Sequence, residues 1–269
     1  MSPNVGVGHC KRCEAIAAEL KGKYEVVYRP IVFSKSEDFE FENGLVLLDT
    51  HQDVFAFISK LKEKKFKVIV LDNFNFDLRD LGINIFDHHP VDRKKTVTDL
   101  DHIVLRKEIF AYITSENPNG EYAIVSIGGG DHLRMGHQIA EHLRKFYNKK
   151  IILIQGPNAG TVELSINNFE TLRSPANFLE LLSRAEIVLC NAGTTLFEAL
   201  LLKKRCIVFP QTQYEINIAN YFYTNRYLLG IGIDNIASSL EHMTSLKIGP
   251  LPYSGKGAEA ISKFIKGLL

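Results

Sequence analysis

The strongest constraint on this chain is alternation. Short apolar runs take turns with stretches of helical spacing from one end to the other. The runs at 24–28, 45–48, 68–71, 83–86, 123–127, 151–154, 187–189 and 206–209 often end in Gly, Asn or Asp. Runs of that length and composition suit strands buried on both faces. Helical spacing recurs at 15–20, 54–64, 135–146, 178–182, 196–202 and 216–222. Strand, helix and strand in succession give right-handed crossovers, so the fold class is α/β with helix-covered parallel sheets.

A polar stretch at 114–121 (TSENPNGE) holds Pro, Gly and two Asn, and reads as a linker or long turn. It divides the 269 residues into an N-terminal α/β domain over 1–115 and a C-terminal one over 120–269. Two doubly wound domains of that size bind a ligand in a cleft at their strand C-termini. The last segment, 257–269, reads as an amphipathic helix with Ala258, Ile261, Phe264 and Ile265 on one face.

Composition narrows the partners. A formal charge of +1 gives no case for nucleic acid or an acidic membrane surface. No apolar run approaches the roughly 20 residues of a membrane span, and residues 1–7 lack the parts of a signal peptide. Four cysteines are too few for a disulfide framework at this length. The expectation is a soluble, cytoplasmic chain without stable membrane insertion. The basic clusters at 62–65 and 203–205 read as solvated helix ends.

Four constellations carry chemistry. In the first, Gly6, Gly8, His9, Arg12 and Cys13 precede a helical run. Glycines there let backbone N–H groups approach an anion, and His9 is a candidate general base. A tight turn with a capping His is the plain alternative. Cys10 and Cys13 have the spacing of half a zinc site or a redox pair, but no second such pair supports it, and packed small residues explain them. In the second, Gly128, Gly129, Gly130 and Asp131 link a strand to a helix, as a phosphate cradle or a close crossing. In the third, Gly193, Thr194, Thr195 and Glu198 follow the run ending at Cys190. Either threonine suits a helix cap, the exposed N–H groups suit a diphosphate, and Glu198 suits a ribose or the helix dipole. In the fourth, Asp72, Phe74 and Asp77 follow one strand and Asp87, His88 and His89 another. The latter resembles the DHH phosphodiesterases, which bind manganese, although their earlier acidic motif is missing here.

Taken together, these motifs resemble one family over most of the chain: the PseG-like UDP-sugar hydrolases of the pseudaminic acid pathway, relatives of the MurG-type glycosyltransferases. The matching segments are 6–13, 72–77, Asp87, 105–110, 127–131, 191–199, 206–219 and 255–259. The resemblance implies a GT-B-like fold, with two Rossmann-like α/β domains facing a central cleft. It implies hydrolysis of a UDP-linked 2,4-diacetamido-2,4,6-trideoxyhexose to UDP and free sugar, with inversion and with neither metal nor cofactor. His9 matches the residue that activates water. Gly6, Gly8, Arg12, Asp72, Phe74 and Asp87 fall on the sugar side. Gly128, Gly129, Gly130, Asp131, Ser174, Gly193, Thr194, Thr195, Glu198 and Glu215 fall on the nucleotide side, with Glu198 matching the ribose-binding glutamate and uracil expected near 172–174.

This sequence departs from the family at three places. Phe74 replaces a tyrosine, Asp87 is followed by His88, and Glu215 stands where a glutamine is usual. The same loop and histidine also occur in glycosyltransferases, where the base would deprotonate an acceptor hydroxyl. A nucleotide-sugar-binding module is the non-enzymatic alternative. In the family a strand precedes the glycine loop, whereas five residues including Pro3 precede Gly6 here. Either a strand lies before the recorded start or the first sheet is built differently.

Overall fold

The computed structural model describes residues 7–22, 24–27, 44–50, 53–72, 79–86, 96–113, 120–128, 135–157 and 169–268. The chain opens with α1 (Val7–Leu20), β1 (Gly44–Asp49), α2 (Phe55–Glu63), β2 (Phe66–Leu71), β3 (Leu81–Asn84) and β4 (Thr96–Thr98). It continues through β5 (Tyr122–Ser126), α3 (Met135–Arg144), β6 (Lys150–Gln155), β7 (Glu170–Arg173), α4 (Phe178–Arg184) and β8 (Ala185–Cys190). The remainder is α5 (Thr194–Leu201), β9 (Arg205–Val208), α6 (Gln213–Thr224), β10 (Gly230–Ile231), α7 (Ile236–Glu241) and α8 (Gly257–Leu268). No helix among the described residues is long and apolar enough to cross a membrane.

Two compact units result. The first takes His9–Leu105 and Pro252–Leu269, and the second takes Arg106–Leu251. The first holds a four-stranded parallel sheet in the order β1-β2-β3-β4. Alternate strand residues serve opposite faces. Leu48, Val68 and Val70 pack with Val54, Ile58 and Leu61 around α2. Ile69, Leu71 and Ile83 pack on the other face against Ile16 and Leu20 of α1 and Ala258, Ile261 and Ile265 of α8. Burial on both faces is why these strands read as plain apolar runs.

The terminal helix departs from the sequence division. Its periodicity was legible, but its apolar face completes the first unit's core rather than the second's. The chain returns through Leu105 N, which donates to Gly255 O at 3.3 Å, and Gly257 N, which donates to Ile103 O at 3.1 Å. Phe264, expected on the buried face, is 37% exposed and meets the His102 ring edge-on.

The second unit holds a six-stranded parallel sheet, β10-β9-β8-β5-β6-β7. One face packs Ala123, Val125, Leu153, Leu189 and Ile207 against Ile139, Ala140 and Leu143 of α3 and Ile236 of α7. α5 packs against β8 and β9, and α4 against β8.

Several sequence expectations change. Residues 24–27 form no strand: Lys21 and Tyr24 share one isolated bridge, and Val27 is 50% exposed. The run at 83–86 pairs two residues earlier, as Leu81–Asn84. β4, β7 and β10 do not stand out in the sequence; each is short and at a sheet edge, β4 and β7 are partly polar, and β10 is only two residues long. In the cluster at 203–205, Lys204 is buried rather than solvated, and burial pulls its ammonium pKa down. Lys62 is half-buried and bonds both oxygens of Asp80 at 2.7 Å.

Candidate functional site

In the first unit the chemistry gathers where α1 meets the ends of the strands. His9, Arg12, Cys13 and Ile16 follow helical spacing and so share one side of α1. Ile16 is buried in the core, which directs the polar members toward the strand ends. Asp49 is the last residue of β1 and aligns with Leu71, so Asp72 stands one step further along β2. His9 Nδ1 lies 2.5 Å from Asp49 Oδ1. Arg12 Nε donates to Asp49 Oδ2 at 2.6 Å and Nη2 to Oδ1 at 2.5 Å. Arg12 Nη1 donates to Asp72 Oδ2, whose other oxygen accepts from Ile85 N at 2.8 Å. Asp72 has φ +44°, a left-handed conformation uncommon outside glycine, held by its N–H to Ile83 O at 2.9 Å.

The electrostatics follow from burial. Desolvation alone would raise the Asp49 carboxyl, but the Arg12 charge and hydrogen bonds, with His9, outweigh it and hold the group well below the carboxylate range. Cys13 Sγ sits 3.9 Å from Asp49 Oδ2. Burial, and then the Asp49 charge, push this thiol up to about 12. One expectation is corrected: Gly8 and His9 lie within the first turn of α1, not in a loop before it. His9 therefore rides on a helix, a firmer mount than a glycine loop.

In the second unit the gathering point is the C-terminal edge of the adjacent strands β5, β8 and β9. Asn191 follows β8, and its amide packs beside two glycines. A Cβ at Gly128 would lie 3.5 Å from Asn191 Nδ2, and one at Gly193 3.3 Å from it. Gly128 also has φ +77°, which glycine alone adopts freely. Asn191 Nδ2 donates to Glu215 Oε1 at 2.8 Å, and Gln211 N donates to Glu215 Oε2 at 2.7 Å. Glu215 N donates to Thr212 Oγ1 at 3.2 Å, capping α6. Glu215 is thus a brace between two strand-end turns.

The helix-cap expectation for Thr194 and Thr195 is corrected. Gly193 is the N-cap of α5 and has no side chain to cap with. Leu196 N and Phe197 N bond Gly193 O, so the N–H groups of Thr194 and Thr195 precede the first intrahelical bond. They carry the positive end of the helix dipole, a setting for an anion.

Glu198 lies one turn further along α5 and is fully buried. Arg106 Nε donates to its Oε1 at 2.6 Å and Nη2 to Oε2 at 3.1 Å, with the guanidinium 5.6 Å from the Phe178 ring centre. Burial raises the Glu198 pKa despite Arg106, and the Glu108 charge adds to the rise. Ser174 follows β7 at φ +43°, its N–H bonded to Gln155 O at 2.9 Å. It stands two strand spacings from β5, about 10 Å.

The expected residues thus divide. His9, Arg12 and Asp72 come together in the first unit. Gly128, Gly193, Thr194, Thr195 and Glu215 share an edge of the second, while Glu198 is covered by Arg106 and Ser174 lies at the sheet margin. Gly6, Phe74, Asp87, Gly129, Gly130 and Asp131 lie outside the described residues, as do His88 and His89 of the manganese alternative. Asp49, Asn191, Gln211 and the Arg106 side chain were missed. Asp49 carried a readable signal, because it closes the run 45–48 just as Asp72 closes 68–71.

No family model matches the chain, and no curated protein matches it in sequence. Solved structures match it in shape. A Methanocaldococcus jannaschii UDP-GlcNAc 2-epimerase, in complex with UDP-GlcNAc and UDP, superposes with TM-score 0.60 at 15% identity, over 96% of this chain and 80% of that one. The fold is GT-B-like. S. aureus MnaA, solved with UDP, is similar with TM-score 0.56 at 10% identity, over 96% and 86% of the two chains. A Neisseria meningitidis UDP-GlcNAc 2-epimerase bound to UDP-GlcNAc gives 0.51 at 14% identity, over 84% and 76%. At such identities the likeness is one of fold.

Proposed function

We propose that this protein is a nucleotide-sugar hydrolase that cleaves a UDP-linked amino or deoxy sugar to UDP and free sugar. The observation that carries the reading is the seating of His9, with one ring nitrogen on the buried carboxylate of Asp49. That contact holds the ring in one orientation, as a general base needs. The resemblance of 6–13 and 191–199 to the PseG-like hydrolases supports it, as does a fold shared with epimerases solved with UDP or UDP-GlcNAc.

The chemistry balances without a metal. His9 takes a proton from water as the oxygen attacks the anomeric carbon. The bond from that carbon to the UDP oxygen breaks, its electron pair stays on the diphosphate, and the proton on His9 returns to solvent. UDP is a good leaving group, so one base suffices for inversion. The charge gathering on the diphosphate would be met by the N–H groups of Thr194 and Thr195. Asn191 and Glu215 hold the turns that present them.

The test is a panel of UDP-sugars incubated without acceptor, with products read by mass spectrometry. Hydrolysis releases UDP and free sugar. His9→Ala is expected to lower that release by on the order of 100-fold or more while UDP still binds. Full activity in that variant would remove His9 from the mechanism. Two other readings separate in the same assay. A glycosyltransferase turns over only when an acceptor is added. A 2-epimerase that keeps the nucleotide attached, a reading suggested by the fold likeness alone, returns an isomeric UDP-sugar in place of free sugar.

A further inference from the structure

The family resemblance implies a sugar contact for Arg12. The geometry points elsewhere: we infer that Arg12 is a positioning residue, which acts through Asp49 to fix the His9 ring with Nε2 as its proton-accepting nitrogen. The inference rests on the reading of His9 as the base.

Arg12 presents its fork inward. Nε and Nη2 both bond Asp49, and Nη1 bonds Asp72. The Arg12 side chain is 15% exposed, Asp49 1% and Asp72 3%. A guanidinium spread over two buried carboxylates has three of its five N–H donors committed to them. Paired planes of this kind fix orientation as well as charge, which a lysine ammonium does not.

The consequence passes to His9. An ionised carboxylate only accepts hydrogen bonds. At 2.5 Å from Asp49 Oδ1, the neutral ring must therefore carry its hydrogen on Nδ1, which makes Nε2 the nitrogen without a proton. A carboxyl buried as Asp49 is would take up a proton if its cation were removed. Once protonated it can donate to Nδ1 instead, and the hydrogen on the ring moves to Nε2. That tautomer cannot take a proton from water through Nε2. Asp72 anchors the far side of the fork, itself fixed by Ile85 N. Arg12 thus ties the ends of two strands to one ring tautomer.

The experiment uses the full chain labelled with 15N-histidine, at a pH where the ring is neutral. Two-bond 1H–15N correlation reads the tautomer directly, and His9→Ala assigns the signal. The wild type is expected to show hydrogen on Nδ1. Arg12→Met and Asp49→Asn are expected to move His9 to Nε2–H or to a mixture. In UDP release, Arg12→Met should lower kcat by on the order of 100-fold with KM little changed. UDP affinity and the far-UV circular dichroism spectrum, read alongside, should stay as in the wild type.

Should Arg12→Met not fold, Arg12→Lys decides. It keeps a cation but loses the fork, so a mixed tautomer and at least about a tenfold fall in kcat are expected. An unchanged tautomer in the folded variants, or a rise in KM alone, overturns the inference and restores Arg12 as a substrate contact. If the wild type holds hydrogen on Nδ1 and Arg12 variants release it, yet no UDP-sugar is turned over, the positioning role stands and the hydrolase reading falls.

Discussion

Asp49 and Glu198 are both buried carboxylates clasped by an arginine, yet their pKa values move in opposite directions. The Arg12 fork and His9 outweigh desolvation at Asp49, whereas burial outweighs Arg106 at Glu198. Asp49 in the fold sits below its ordinary 3.8. Its contribution to stability is therefore whole above that value and is lost as pH falls through the depressed one. Glu198 sits above its ordinary 4.5. Its contribution is whole at lower pH and is lost as pH rises through the raised value. Urea unfolding followed by far-UV circular dichroism reads this, since the chain has no Trp. Asp49→Asn should flatten the acid limb of stability, and Glu198→Gln should flatten the opposite slope just above it. A steeper acid limb in Asp49→Asn would contradict the assignment.

Asn191 makes a second prediction at this scale. Its amide braces Gly128 and Gly193 and holds Glu215. Asn191→Ala is expected to weaken UDP binding about tenfold, or ~1.4 kcal/mol, by titration calorimetry. An unchanged affinity would detach these turns from the nucleotide. Residues of this kind are only partly legible in a sequence. His9, Gly128 and Gly193 announce themselves by spacing. The partners that orient them do not, because Asp49 lies forty residues from His9 and Glu215 twenty-four from Asn191. Only the parallel register brings such positions to one edge.

Among elements, α8 shows what periodicity can and cannot disclose. Its apolar stripe was visible, but a stripe does not name the surface it covers. The chain reaches that surface through a close passage at Gly257, where a Cβ would lie 2.5 Å from His102 O. A backbone neighbour cannot move aside as a side-chain tip can. Gly257→Ala is expected to cost about 1–3 kcal/mol. Ile261, fully buried in the same core, should cost about 2–5 kcal/mol as Ile261→Ala. Hydrogen exchange locates the effect: faster exchange in α8, β2 and β3, with β5 and β8 unchanged. Faster exchange in β5 and β8 instead would assign α8 to the second unit, as the sequence division had it. The strands that eluded the sequence, β4, β7 and β10, are edge elements, and their pairing is set by a neighbour rather than by their own composition.

For the whole molecule, the decisive fact is that each unit has its own core. Ile69, Leu71 and Ile83 anchor one, and Val125, Leu153 and Leu189 the other. The backbone passes between the units at Leu105–Arg106 and returns at Leu251–Pro252. All the described residues of the proposed nucleotide site belong to the second unit, and His9 with its supports to the first. A ligand stabilises the folded form that binds it, by about 2.7 kcal/mol at 100 times its Kd. UDP alone should therefore protect the turns after β5 and β8 and the start of α5 against hydrogen exchange, and leave β1, β2 and α1 as they were. His9→Ala should give the same protection map, because its loss touches the chemistry and not the anchor. Protection centred on α1 and the end of β1 would move the nucleotide to the first unit, and with it the roles assigned to Gly193 and Thr194.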